Sequence, residues 1–198
     1  VLGAYGTVLD LATPSRQLQG DDEAMATLLA ELKDGAVGAL VIIGSNPVLQ
    51  HVEGAVFGAA LATVPLVVNV AQRLDDTATL SQWVCPDAHV LEAWGDAEPV
   101  SGTVTLQQPA MAPLGKTRPV LESLAAWSGQ PKAALDQVKG RWEAEIFPRM
   151  ASTGTFLEFW NGALATGCVE VPVDPPAVKS FDVAGVRFTE GAGLAAGQ

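Results

Sequence analysis

The stretch ALVIIGSNPVLQ, residues 39–50, decides the fold. Its first five residues are all apolar, and the small polar turn Gly-Ser-Asn-Pro follows at residues 44–47. A continuous apolar run of this length indicates a strand buried on both faces, which is typical of parallel sheets. The run PLVVNV, residues 65–70, has the same character. Because parallel strands end at one edge, we expect the turns that follow both strands to lie side by side, where ligands gather in such folds.

Helical patterns alternate with these strands. Asp21 can cap a helix over residues 22–35, with Gly35 at its end, in which Met25, Leu28, Leu29 and Leu32 form one apolar stripe. Further helices are predicted over residues 51–62 and 75–84. Alternating strands and helices predict an α/β fold: a Rossmann-like, doubly wound, mostly parallel sheet with additional C-terminal helices.

The pattern becomes irregular after Pro86, where one extended piece, residues 102–107, stands between turns. Additional helices are predicted over residues 118–129, over 132–147 with Pro148 as the stop, and over 155–165. A short strand is expected at residues 6–11. These observations divide the chain into a Rossmann-like domain, residues 1–128, and a helical extension with a flexible tail, residues 129–198.

The composition excludes several functions. The chain of 198 residues has a net charge of −11, which disfavours nucleic acid and anionic lipid as partners. No apolar run approaches the roughly 20 residues of a membrane-spanning helix. The two cysteines, Cys85 and Cys168, are too few and too distant for an iron–sulfur cluster and are expected to be small core residues. Since no initiator methionine is present, we expect an internal piece of a longer protein.

The turn at residues 44–47 has two interpretations. Gly44 permits close backbone approach and Asn46 supplies a donor and an acceptor, as a ligand contact requires. Alternatively the turn is a helix corner, capped by Ser45 or Asn46, with Pro47 as the first helical residue. The turn matches neither the G-x-x-x-x-G-K-[ST] loop nor G-x-G-x-x-G.

No other motif completes a catalytic site. Asp75 and Asp76 are expected to cap a helix, and the nearby turns argue against a functional pair of Glu92 and Asp96. Cys85 and His89 lack two further ligands for zinc, so His89 is expected to fix its loop by hydrogen bonding. The remaining candidates are His51, with surface or capping duty, the core tryptophans Trp127, Trp142 and Trp160, and Trp94 at a sheet edge or a domain contact. We therefore expect no metal site, and a fragment that is not catalytic by itself.

Four stretches, in order, resemble the molybdopterin oxidoreductases. LGAYGTVLDL (2–11) resembles their upstream segment, and LVIIGSNPV (40–48) resembles their GGNP strand and turn. VPLVVNVAQRLDDTATLSQWVCPDAHVLEAWGD (64–96) and SGTVTLQQPAMAPLGKTRPVLESLAAW (101–127) resemble the two blocks that follow. Residues 85–109 are similar, more specifically, to the large iron–sulfur subunit of bacterial alternative complex III.

The resemblance implies a function and a site. In catalytic members the turn and the loop after the next strand contact molybdopterin guanine dinucleotide. Here Ser45 replaces the second glycine and Asp76 stands in place of a glutamate. The positions carried over, as weak or relic contacts, are Gly44, Ser45, Asn46, Pro47, Gln72, Asp76 and Thr77.

The subunits of alternative complex III keep the fold without molybdopterin and hold their clusters in a separate region. The resemblance therefore implies a scaffold in a quinol-oxidising complex, with no cofactor bound by this chain. Its partners would be other domains of the parent and membrane-complex subunits, without direct membrane insertion, at the periplasmic face of the inner membrane. Alternatives are a dinucleotide-contacting domain of a catalytic molybdopterin oxidoreductase, a cytoplasmic location, and a stand-alone nucleotide-binding module.

Overall fold

A computed structural model describes residues 8, 10, 12–17, 19–150 and 154–173. Two three-stranded sheets organise these residues. The first is parallel, in the order β1-β2-β3. The second is antiparallel, in the order β4-β5-β6. The strands are β1 (Leu40–Ile43), β2 (Val67–Ala71), β3 (Trp83–Pro86), β4 (Gly95–Val100), β5 (Thr103–Gln107) and β6 (Cys168–Glu170).

Seven α-helices are present in the described part of the chain, joined by shorter helical turns. None of these helices is long and apolar enough to cross a lipid bilayer. A π-helical turn, Trp142–Ile146, and a 3-10 turn, Phe147–Met150, continue α6 past its end. The helices are α1 (Asp22–Lys33), α2 (Pro47–Gln50), α3 (Gly54–Leu61), α4 (Asp76–Thr79), α5 (Val120–Trp127), α6 (Ala134–Arg141) and α7 (Phe156–Thr166).

Helix α1 forms where the sequence predicts it. The Asp21 side chain accepts a hydrogen bond from the Ala24 amide at 2.9 Å, which satisfies one of the free donors at the helix start. Leu29 and Leu32 are buried against α3 and the first sheet. The predicted cap and apolar stripe are therefore confirmed, as is the α/β class.

The parallel sheet is covered on one face. Ile42 and Val67 belong to the core that α1 and α3 close. Since side chains alternate along a strand, Val41 and Ile43 point to the opposite face, where they are 45% and 44% exposed. The first core therefore lies between the sheet and its helices. On the second face Val70 is buried, but Val41 and Ile43 stay partly exposed in the described residues.

The antiparallel sheet carries a second core. Val104 of β5 and the side chains of Trp142, Ile146 and Trp160 are buried together. Trp142 meets Trp160 edge-on, with ring centroids 5.7 Å apart, a favourable arrangement for two aromatic rings. This core contains residues from both sides of position 128. The predicted domain boundary at that position stays a prediction.

The predicted helix over residues 75–84 is wrong in its second half. Helix α4 ends at Thr79, and Trp83 and Val84 begin strand β3, which pairs with β2. The Gln82 side chain donates to the Val64 carbonyl at 3.1 Å and accepts from the Val67 amide. These contacts align the segment beside β2, so tertiary pairing overrides the local helical pattern.

Other predictions differ in detail. Strand β4 was not predicted, and the helix over 51–62 is shorter, because α3 begins only at Gly54. The stop at Pro148 is wrong, since the 3-10 turn passes through it. Trp127 is 48% exposed and Cys168 is exposed, so neither is a core residue. The strand at 6–11 falls largely, and the tail beyond 173 entirely, outside the described residues.

Candidate functional site

The turn after β1 closes on the neighbouring strand. The Gly44 amide donates to the carbonyl of Val70 at 3.1 Å, which extends the pairing of β1 and β2 by one hydrogen bond. Gly44 has φ +59°, in the left-handed region where a side chain would be strained. This glycine is therefore required by the backbone path alone. Ser45, exposed, follows it.

Asn46 joins the two turns at the carboxyl edge. Its Oδ1 accepts from the Thr77 amide at 3.2 Å and from the Thr77 hydroxyl at 2.6 Å. Its Nδ2 donates to Asp76 Oδ2 at 3.1 Å. The prediction that the two turns lie side by side is confirmed, and Asn46 is the residue that connects them.

The amides at the start of α2 are already used. The Asn46 amide donates to Gln50 Oε1 at 3.1 Å, and the Val48 amide donates to Thr77 Oγ1 at 3.1 Å. Pro47, the first residue of α2, has no amide hydrogen. The helix corner is thus confirmed at Pro47. Capping by the Asn46 side chain is wrong, because that side chain bonds α4 instead.

A second glycine permits the tight passage from α2 to α3. A Cβ atom at Gly54 would stand 2.0 Å from the Val48 carbonyl oxygen. Any side chain there would push α3 away from α2 and move the turn that Asn46 holds. The sequence contained no pattern that distinguished Gly54 from other glycines.

The two turns border an open cavity of about 400 Å³. Its charged residues are Arg73, Asp75 and Asp87, so carboxylates outnumber cations. Asp75 accepts from the Ala78 amide at 2.8 Å and caps α4, as predicted. The complete lining is Gly44, Ser45, Asn46, Gln50, Val70, Ala71, Gln72, Arg73, Asp75 and Asp87.

A neighbouring cavity of about 360 Å³ shares Gln72 and Asp87 with the first. Gln72 donates to the Ala88 carbonyl at 3.1 Å, which fixes the wall between them. Asp96 lines the second cavity and accepts from Arg141 at 2.5 Å and from the Trp142 indole at 2.9 Å. The Asp96 carboxylate therefore binds the C-terminal end of α6 and does not pair with Glu92.

The loop around His89 is held as predicted. His89 Nδ1 accepts from the Leu91 amide at 3.2 Å. The Glu92 carboxylate accepts from the amides of Leu114 and His89, at 3.0 and 3.2 Å, and these hydrogen bonds lower the pKa of Glu92. Within the described residues no group of three or more histidines, cysteines or acids is arranged for a metal ion.

The structure thus gathers part of the predicted site. Asn46, Asp76 and Thr77 are in direct contact, while Gly44, Ser45 and Gln72 line the same cavity. Pro47 begins α2 outside the lining. Gln50 and Asp87 were missed. The spacing of Gln50, four residues after Asn46, could have suggested its contact, whereas nothing local marks Asp87.

Comparisons with known proteins give a consistent result. No family model matches the chain. Over 141 residues, 69% of the chain, it is 31% identical to the menaquinone reductase, molybdopterin-binding-like subunit of Nitratidesulfovibrio vulgaris (strain Hildenborough). Its fold matches acetylene hydratase from Pelobacter acetylenicus with a TM-score of 0.58, at 18% identity, over 74% of the chain.

The chain spans about a fifth of the length of each of these proteins, 20% in both comparisons. The structural match shows a shared fold, and the sequence match supports the superfamily part of the resemblance, a molybdopterin oxidoreductase-like subunit. Neither comparison names alternative complex III. The binding role of the predicted site residues stays a prediction.

Proposed function

We propose that this chain is a scaffold domain of a molybdopterin oxidoreductase-like, iron–sulfur subunit in a complex that exchanges electrons with quinones. The observation that carries the proposal is the 31% identity to a menaquinone reductase subunit over most of the chain. In this proposal the domain positions the parts of the parent that hold the clusters and contacts the membrane subunits, at the periplasmic face. It neither binds substrate nor performs chemistry.

The hydrogen bonds at the site support a structural role. A dinucleotide cofactor carries a pyrophosphate, which needs free amides or cations near it. At the start of α2 the amides of Asn46 and Val48 donate to side chains of the protein itself. Their donors are therefore already satisfied, and a phosphate would have to displace Gln50 and Thr77.

The charges around the cavity also support a structural role over the binding of a dinucleotide. Asp75 and Asp87 line it against the single cation Arg73, and Asp76 lies beside Asn46. Like charges at short distance oppose the approach of a phosphate. The residues present do not fit a tightly held anionic dinucleotide, so we assign the edge a role in joining the two turns.

The test is the metal content of the natural full-length subunit, with molybdenum and iron measured on one sample. We expect iron without molybdenum. Stoichiometric molybdenum would overturn the scaffold assignment. It would favour the alternative of a cofactor-contacting domain, for which the observation is that Gly44 and exposed Ser45 open onto the cavity.

A charge-removal variant separates the two functions further. In the double variant Asp75→Asn and Asp87→Asn, the carboxylates that oppose a phosphate are neutralised. If the occupied amides by themselves exclude a phosphate, neutralising the carboxylates is not enough, so the variant still contains no molybdenum and keeps its iron. A gain of molybdenum would show that a binding site persists there.

A further inference from the structure

The open face of the parallel sheet is apolar across all three strands. Val41, Val68 and Trp83 are partners in register, so their side chains share a face, and Trp83 is 65% exposed. In the next row on this face Ile43 is 44% exposed and Cys85 is half-buried, while Val70 between them is buried. We call Val41, Ile43, Val68, Trp83 and Cys85 the open face.

Two cations flank the open face. Lys116 and Arg118 line a cavity of about 430 Å³ together with Cys85 and Trp127. Cys85 belongs both to this cavity and to the open face, so the two surfaces are continuous. Neither Lys116 nor Arg118 forms an ion pair with a carboxylate in the described part of the chain.

We propose that the open face binds an amphipathic helix of the same polypeptide, supplied from outside these 198 residues. The apolar side of this helix covers Val41, Val68 and Trp83, and its carboxylates pair with Lys116 and Arg118. The inference does not depend on the cofactor content of the parent.

Three arguments select this occupant. Parallel sheets are stable with helices on both faces, and in the described residues this sheet has them on one. About four-fifths of each similar protein lies outside the matched region, since the chain covers 20% of it. A segment of the same polypeptide also docks at a high effective concentration, which a separate protein lacks.

The charge argues against a second copy of the chain. At a net charge of −11, two copies repel one another over their whole surfaces. Lys116 and Arg118, in contrast, are a local positive region suited to a few carboxylates. The complement is therefore a segment with acidic side chains beside an apolar stripe.

Photo-crosslinking in the natural full-length protein identifies the occupant. A photoreactive phenylalanine analogue replaces Trp83, and mass spectrometry maps the crosslinked peptide. We expect a peptide of the same polypeptide, outside these residues, with apolar side chains at helical spacing and carboxylates. The matched control is Leu157, which is 58% exposed on α7 and should not give that peptide. A crosslink within these 198 residues, a crosslink to another polypeptide, or no crosslink would overturn the proposal.

Cysteine alkylation tests the charge contacts without depending on crosslinking. In the natural protein the docked helix should slow alkylation of Cys85 relative to Cys168, which is exposed on β6. The variant Lys116→Glu with Arg118→Glu should raise the rate at Cys85 by about fivefold, as expected for the loss of two ion pairs. Cys168 should be unaffected. The control variant, Lys132→Glu with Lys139→Glu, carries the same charge change elsewhere. An equal rate increase in the control, or none in the test variant, would contradict the proposed pairing.

Discussion

The two sheets of this chain differ in how far the described residues cover them. Around the antiparallel sheet the described residues close a core, in which Trp142 is fully buried and Trp160 is 4% exposed. The parallel sheet has a core on one side, while Val41 and Trp83 on the other are 45% and 65% exposed. An exposed apolar surface of this kind is typical of an interaction site. The antiparallel sheet can therefore be tested as a closed core. The parallel sheet can be tested as a one-sided core whose turns are joined by polar contacts at its carboxyl edge.

The largest effect is expected at Trp142. Its indole is fully buried and donates to Asp96, so Trp142→Ala leaves a cavity and removes one of the two hydrogen bonds that Asp96 Oδ2 accepts. We expect the free energy of unfolding to fall by about 3–5 kcal/mol, measured by urea denaturation. Trp127→Ala, at a half-exposed position, is the control and should cost much less. Equal costs would show that the second core is not closed.

A smaller loss is expected at the polar edge of the parallel sheet. Asn46→Ala removes the hydrogen bonds to Thr77 and Asp76. Because Thr77 is buried and would lose its acceptor, the expected cost is about 1–3 kcal/mol in the free energy of unfolding. Ser45→Ala, one residue away and exposed, should be near neutral. If the two variants unfold alike, Asn46 does not join the turns.

Asn69 should give the opposite sign. Its side chain is fully buried in β2, and neither its amide nitrogen nor its carbonyl oxygen has a hydrogen-bond partner in the described structure. Asn69→Leu should raise the free energy of unfolding by about 1–2 kcal/mol, because an unpaired buried amide is costly.

The control for Asn69 is Thr77→Val, which is also fully buried but removes a hydroxyl that is hydrogen-bonded. It should destabilise the chain. A loss of stability in Asn69→Leu as well would mean that Asn69 has a polar partner beyond the described residues.

The smallest effect concerns the start of α7. The amide and hydroxyl of Thr155 donate to Glu158 at 2.8 and 2.9 Å, and these hydrogen bonds lower the pKa of Glu158. A lowered pKa stabilises the fold above the pKa of the unfolded state. That contribution is lost as the pH falls through the folded pKa.

Thr155→Val should raise the pKa of Glu158 toward its ordinary value, which NMR titration of the carboxyl carbon measures. The stability difference from the wild type should shrink on acidification through that range. Thr166→Val, at the other end of α7, is the control and should leave the titration of Glu158 unchanged. An unchanged pKa of Glu158 in Thr155→Val would show that the Thr155 hydroxyl does not stabilise the Glu158 carboxylate.

The sequence predicted those parts that local chemistry determines. The cap at Asp21, the apolar run that became β1 and the adjacency of the two turns are all written in short segments. Strand β3 was missed because its structure depends on pairing with β2 and on Gln82, which contacts Val64 and Val67. Strand β4 was missed for the same reason, since turn residues interrupt its pattern and its partner β5 defines it.

At the candidate site the sequence predicted which residues lie close together, but not which hydrogen bonds they form. Asn46, Asp76 and Thr77 were placed together through resemblance, and the structure brings them into contact. That their polar atoms bond one another, instead of facing the cavity, depends on side-chain geometry that no motif encodes. Asp87 reaches the cavity from beyond β3, whose existence was not predicted.

The order of strands in the antiparallel sheet sets a sequence of events in folding. Thr105 in β5 bonds the Ala97 carbonyl 8 positions earlier, whereas Thr103 bonds Glu170 across 67 positions. Closing the longer loop costs more conformational entropy before any contact compensates for it. The hairpin of β4 and β5 should therefore form early, and the outer edge of β5 should stay unpaired until β6 joins it. Until β6 pairs, this unpaired edge is the part of the antiparallel sheet most prone to pairing with another chain.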